Sequence, residues 1–182
     1  MLKKISIGVG IVVVIIIMAM VYMNNRNRTL SPAENITLMH KGLEVSVDYS
    51  RPSVRGRKIF GSAEEGALLP NGKYWRLGAN EPTQLKVNRN FEFNGIKMMA
   101  GQYDMYAIPQ EESFELRLNS GGRFWGYTEP DYNLDVLKTS VTYDHPGAAM
   151  EQFTIKGTDE KDGILLLFMW ADRKWEVLIT AL

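Results

Sequence analysis

The stretch from Phe91 to Ile108, FEFNGIKMMAGQYDMYAI, decides the fold class. Asn94-Gly95 is the strongest hairpin signal in the chain, because both residues suit the positive φ angles of a type I′ turn. Ile96 to Met99 then answers Phe91 to Phe93 across that turn, and Ala100-Gly101 turns the chain again. From Gln102 to Ile108 the side chains alternate, with Tyr103, Met105 and Ala107 on one face and Asp104, Tyr106 and Ile108 on the other, until Pro109 closes the strand.

The same period of two extends outward in both directions. Leu43 to Tyr49 alternates apolar and polar residues and is ended by Ser50-Arg51-Pro52. Lys58 to Phe60, Gln84 to Val87, Phe114 to Leu118, Leu134 to Tyr143, Phe153 to Lys156 and Trp175 to Ala181 give further short β patterns. Ile164 to Trp170 is apolar throughout, as in a strand buried on both faces, although periodicity alone leaves a helix open there. Ala171 to Lys174 fits a hairpin loop. Short strands separated by frequent turns, with no amphipathic helix between them, predict an all-β domain over residues 41–182: an antiparallel β-sandwich, jelly-roll-like.

The N-terminus is different in kind. Ile5 to Met23 is a run of 19 residues without a charge. That length suits a membrane-spanning helix, whereas the apolar region of a cleavable signal peptide is roughly 7 to 15 residues and precedes small residues at a cleavage site. Val21-Tyr22-Met23-Asn24 offers no such site. The expected organisation is a signal anchor over residues 1–28 that meets the lipid bilayer through residues 5–23, a polar tether over 29–40 containing Ser31-Pro32, and then the domain. Lys3 and Lys4 nearly balance Arg26 and Arg28 in the positive-inside comparison. The short tail before the anchor points to a cytoplasmic N-terminus and an extracytoplasmic domain in a single-pass envelope protein.

Composition excludes several chemistries. The 182 residues contain no cysteine, so disulfides, thiolate metal sites and a cysteine nucleophile are ruled out. The net charge of zero hides an asymmetry: residues 24–100 carry 12 basic against 7 acidic residues, and residues 101–182 carry 7 against 14. An anionic ligand therefore favours the first half, but there is no dense basic tract to suggest nucleic acid. His40 and His145 are the only histidines and sit in no triad or metal spacing. With no P-loop and no dinucleotide fingerprint either, neither a metal nor a cofactor is expected.

Several segments taken together resemble the bacterial domain of unknown function 2911 family. They are Asp48-Tyr49-Ser50-Arg51-Pro52-Ser53, Gly56-Arg57-Lys58-Ile59-Phe60-Gly61 and Trp75-Arg76-Leu77-Gly78-Ala79-Asn80-Glu81, followed in order by Ala100-Gly101-Gln102-Tyr103, Ile108-Pro109, Trp125-Gly126-Tyr127 and Asp135-Val136-Leu137. The likeness covers roughly residues 43 to 180, with two departures: Leu77 stands where Thr is usual, and Asn71 precedes Gly72 where an aromatic residue is usual. What the resemblance implies is an exported or membrane-attached bacterial protein; it implies no activity and no catalytic residue.

Arg55, Arg57, Arg76 and Arg123, with Trp75 and Trp125, form the candidate ligand face, completed by Asn80 and Glu81. Guanidinium groups offer forked donors to carboxylate, phosphate or sugar hydroxyls, and an indole offers a flat apolar plate. A structural alternative has the tryptophans filling the core while the arginines pair with Glu81, Asp48 or Asp131. The function expected from these residues is a binding or interaction module for a glycan, an anionic small molecule or an envelope protein. A hydrolase using Glu81 or Asp48 as general acid or base is the first alternative, and a structural subunit of a membrane assembly is the second.

Overall fold

In the computed structural model, residues 2–122 and 128–182 are described, with side chains from Gly8 onward. An α-helix, α1 (Leu2–Leu30), takes in the apolar run and continues through the polar segment Asn24 to Leu30. Its stretch Gly8–Leu30 is long and apolar enough to cross a membrane, and none of it is buried in the protein. Ser31-Pro32 stops it, since proline at position 32 lacks an N–H and disfavours helical geometry in the residue before it.

The segment expected to be a tether is instead mostly strand. β1 (Ala33–His40) starts two residues after the helix and pairs along its whole length with β2 (Leu43–Ser50), in register from Ala33 opposite Ser50 to His40 opposite Leu43. Lys41 and Gly42 turn the hairpin with φ of 45° and 85°, the backbone of a type I′ turn, which Asn94-Gly95 repeats at 49° and 79°. β1 forms because Ile36 and Leu38 pack against the core from alternate positions, with Leu38 seated on Gly157 where any side chain would collide with it. Of the apolar residues in β1 only Ile36 and Leu38 pack against the core, which leaves a faint period in the sequence.

After β2 a long excursion carries β3 (Phe60–Gly61) and β4 (Leu69–Pro70), a short parallel pair. β5 (Thr83–Val87) returns beside β2; the hairpin of β6 (Phe91–Phe93) and β7 (Ile96–Met98) crosses to a second sheet; and β8 (Gly101–Pro109) comes back to pair with β5. β9 (Ser113–Asn119) and β10 (Asp135–Thr142) complete the first sheet, in the order β1-β2-β5-β8-β9-β10. β11 (Met150–Asp159), β12 (Ile164–Ala171) and β13 (Arg173–Ala181) run as a meander that β13 joins to β6, giving the order β11-β12-β13-β6-β7. Strand pairing within both large sheets is antiparallel, as the sequence predicts. The predicted loop at Ala171 to Lys174 contracts to a tight turn, with Trp170 opposite Arg173.

Alternate residues of the two sheets meet in one core. Val45, Val47, Leu85, Met105 and Leu116 come from the first sheet, and Ile155, Leu166, Phe168, Val177 and Ile179 from the second. Burying each such side chain is worth roughly 1.5–3 kcal/mol. One end of the core is aromatic: Trp75 stacks on Trp170 with centroids 5.6 Å apart and meets Phe60, Phe153 and Trp175 edge-on at 5.3 to 6.0 Å. Trp75 is only 2% exposed, so this residue follows the core alternative for the tryptophans.

Candidate functional site

Two loops and the end of α1 enclose the site. The first loop follows β2. Val54-Arg55-Gly56-Arg57 makes a tight turn, with the Arg57 amide donating to the Val54 carbonyl (3.1 Å) and with Arg55 and Gly56 at φ of 51° and 67°. Its backbone is pinned to β11, because the Val54 and Arg55 amides donate to the Glu151 carbonyl and carboxylate at 2.8 and 2.9 Å. The turn throws both arginines to one side. Arg55 Nη2 donates to the Leu30 carbonyl at the end of α1 (2.9 Å), and Arg57 donates to the Val54 and Ser53 carbonyls at 2.9 and 2.5 Å.

The second loop, Trp75 to Asn80, folds around Gly78. A Cβ at Gly78, whose φ is 151°, would stand 2.8 Å from the Ser50 carbonyl oxygen, so the close approach of this loop to β2 requires glycine. Trp75 Nε1 donates to the Gly78 carbonyl (3.2 Å), Arg76 Nη1 to the Asn80 carbonyl (3.1 Å) and Thr83 Oγ1 to the Leu77 carbonyl. Asn80 Nδ2 reaches across to the Ser31 carbonyl at 3.2 Å.

Between these walls lies an open cavity of about 440 Å³. Arg55, Arg57, Trp75, Arg76 and Asn80, all expected at a ligand face, line it together. Asn27, Leu30 and Ser31, the exposed Leu68, the half-buried Tyr74 and the core residue Trp170 also line it. Sequence reasoning missed these because nothing local ties the helix end to a loop fifty residues away. Among the described residues no carboxylate lines the cavity, and Arg55 and Arg57 form no ion pair. Their side-chain hydrogen bonds go to backbone carbonyls, while Arg57 also borders a second cavity with Glu151 and Asp172, and the Glu151 carboxylate accepts from the Arg55 amide.

Glu81 faces elsewhere. It meets Arg28 of α1 at 2.5 Å and lines a neighbouring open cavity of about 590 Å³ with Asp48, Glu34, Asn35 and Tyr49. Asp48 accepts from Asn35 Nδ2 (2.9 Å), while Glu34 is held by Arg51 (2.7 Å) and by the Tyr49 hydroxyl (3.1 Å). Burial pushes the Tyr49 phenol up to about 12. Of the carboxylates weighed as partners for the arginines, Glu81 takes Arg28, Asp48 takes Asn35, and Asp131 caps a short 3₁₀ turn at Tyr132–Leu134. Arg123 and Trp125 lie outside the described residues.

A second polar cluster gathers around Asp135, which the sequence marks only as part of a family motif. The Asp135 carboxylate, 1% exposed, accepts from the Tyr106 hydroxyl (2.7 Å), from Arg117 Nη1 (2.9 Å) and from Asn119 Nδ2 (2.9 Å). Burial, reinforced by that carboxylate, drives the Tyr106 phenol well above its usual value. Burial also disfavours charge on Arg117, but hydrogen bonds to Tyr106, Glu115 and Asp135 outweigh it and keep the guanidinium charged. Each of these groups is occupied by another, so the cluster braces β8, β9 and β10 and presents no free chemistry. The histidines stand apart: His40 pairs with Asp159 at 2.5 Å, and His145 lies against the Asp172 carbonyl at 2.8 Å.

A family model described as "Protein of unknown function (DUF2911)" matches residues 31–179. The chain belongs to that family. No curated protein and no solved structure matches the chain. The family match begins where α1 ends, so the two loop walls and β1 are family features, while Asn27 and Leu30 complete the cavity from outside the matched region.

Proposed function

We propose that the protein is a membrane-anchored, extracytoplasmic binding module that takes an anionic ligand in the arginine-lined cavity. One observation carries this: Arg55 and Arg57 converge on a concave cavity that no carboxylate among the described residues lines. Such a cavity favours a negative charge, and a guanidinium presents it with forked donors. A sugar-stacking role for Trp75 has less support, since its ring is occupied by Trp170 and Phe153. The anionic ligand is therefore favoured over the neutral glycan.

Anchoring over cleavage is supported by how α1 ends. Arg28 pairs with Glu81, the Leu30 carbonyl accepts from Arg55 and the Ser31 carbonyl from Asn80, so the domain holds the helix end through its own side chains. Intact-mass measurement of the protein extracted from membranes checks this, and a mature chain starting beyond residue 23 would refute it.

The binding reading is tested by calorimetric titration of the full chain in micelles with phosphate, sulfate, sugar phosphates and uronates. Arg55→Gln and Arg57→Gln should each weaken the bound anion by about tenfold, the equivalent of about 1.4 kcal/mol. Absence of any anion-dependent heat, or variants that bind as well as the parent, would overturn it. A hydrolase reading draws on the shared cavity of Asp48 and Glu81, but the bonds of those carboxylates to Asn35 and Arg28 leave it second.

A further inference from the structure

The depth of the arginine cavity relative to the membrane helix identifies a source for its anion; the inference rests on the anion-binding reading. β1 begins two residues after α1 ends, and the Arg51 amide donates to the Pro32 carbonyl between them at 2.9 Å. With Arg28, Leu30 and Ser31 also bonded to the domain, the cavity cannot swing away from the helix end. If the apolar run ends at Met23, Asn27 and Leu30 stand about 6 and 10 Å further along the axis, at about 1.5 Å per residue. The headgroup layer occupies about 5 to 8 Å on each side of an about 30 Å hydrocarbon core. The wall formed by Asn27 and Leu30 thus lies at the outer edge of the headgroups.

We propose that the cavity takes the phosphate of an anionic lipid headgroup from the bilayer that α1 spans. Arg55 and Arg57 supply the charge. Each guanidinium carries five N–H donors, of which Arg55 spends one and Arg57 two on backbone carbonyls, so both retain donors for phosphate oxygens. Leu68, 45% exposed, lines the same cavity. An apolar side chain beside the cations suits the carbon-bearing headgroup alcohol of a lipid such as phosphatidylglycerol, which a hydrated free phosphate lacks. Anchoring in the same bilayer also holds the site at a high local concentration of headgroups.

Photo-crosslinking tests the proposal on the full chain. A benzoylphenylalanine introduced at position 68 is irradiated in vesicles of phosphatidylcholine alone and of an equal mixture with phosphatidylglycerol, and adducts are identified by mass. The expected result is a phosphatidylglycerol adduct that excess inorganic phosphate does not displace, and that falls about tenfold in the Arg55→Gln, Arg57→Gln double variant. Lys97→Gln, which alters an exposed lysine outside the cavity, should leave it unchanged. Equal labelling of phosphatidylcholine, or labelling indifferent to the arginines, overturns the proposal. If inorganic phosphate binds the micellar protein through Arg55 and Arg57 while phosphatidylglycerol labelling stays at background, the lipid source is refuted and the anion reading stands. Failure of both measurements removes both.

Discussion

The Arg28 guanidinium, two residues before the end of the apolar helix, lies 2.5 Å from the Glu81 carboxylate, 53 positions further along the chain. This pair, with Arg55 on the Leu30 carbonyl and Asn80 on the Ser31 carbonyl, makes the helix end one wall of the arginine cavity. Three separate segments share the junction. A displacement of α1 would therefore move residues that line the cavity.

Arg28→Gln should loosen this junction without unfolding the domain. The side chains are 51% and 25% exposed, and exposed ion pairs contribute about 0.2–1 kcal/mol. The expected outcome is faster proteolysis between Leu30 and Ala33 in micelles, with an unfolding free energy from urea titration within about 1 kcal/mol of the parent. Unchanged proteolysis would show that the backbone contacts hold the junction by themselves.

Gly78→Ala should be among the costliest single-methyl additions in the site. The new Cβ would stand 2.8 Å from the Ser50 carbonyl oxygen, at a φ of 151°. Left-handed backbone alone costs about 1–2 kcal/mol, and the collision adds to it, so a loss of about 3 kcal/mol is expected. Gly56→Ala, at φ 67° with open space around it, should lose only about 1 kcal/mol. Equal thermal shifts in the two variants would contradict this account.

Arg173 is a buried cation held by aromatic rings. It is 6% exposed, with its guanidinium 4.2 Å from the Tyr143 ring centroid and 4.5 Å from that of Phe60. Nη1 donates to the Gln110 carbonyl (3.3 Å), Nε has no partner among the described residues, and burial holds the group below the usual arginine range. Arg173→Met keeps the volume and removes the desolvated charge, so its unfolding free energy from urea titration should stay within about 1 kcal/mol of the parent or rise. Arg173→Lys, which retains a more strongly hydrated charge and loses the planar stacking, should lose about 2 kcal/mol or more. The reverse order would show that cation–π attraction dominates.

Alkali should unfold the domain through its tyrosines. Burial pushes both Tyr49 and Tyr74 up to about 12, above the value of about 10 in an unfolded chain. A raised folded value stabilises the fold fully below about pH 10 and loses that contribution as pH rises through about 12. The Tyr49 hydroxyl shares its one proton between Glu34 and the Ile155 carbonyl and accepts from the Ile155 amide, so Tyr49→Phe should cost about 1 kcal/mol at neutral pH. That deficit should shrink above about pH 11 in denaturation curves. A deficit constant across the range would count against ionisation of Tyr49 as a cause of alkaline unfolding.

The sequence by itself determined the local parts of this protein. Alternation over Gln102 to Ile108 and the Asn94-Gly95 turn correspond to β8 and the β6–β7 hairpin, because a period of two and a turn needing positive φ are properties of neighbouring residues, whereas the unbroken apolar run of Ile164 to Trp170 leaves strand and helix open and becomes β12 only in the fold. The apolar run of α1 and the ordered family motifs were legible for the same reason. Only the tertiary structure decided that residues 33–40 are an edge strand, that Arg173 is buried among rings, and that Glu81 pairs with Arg28 while Arg55 and Asn80 grip the helix end. Apart from the β1–β2 hairpin, those contacts join segments tens of residues apart. Their partners are selected by sheet order and by the close approach at Gly78, which no local pattern encodes.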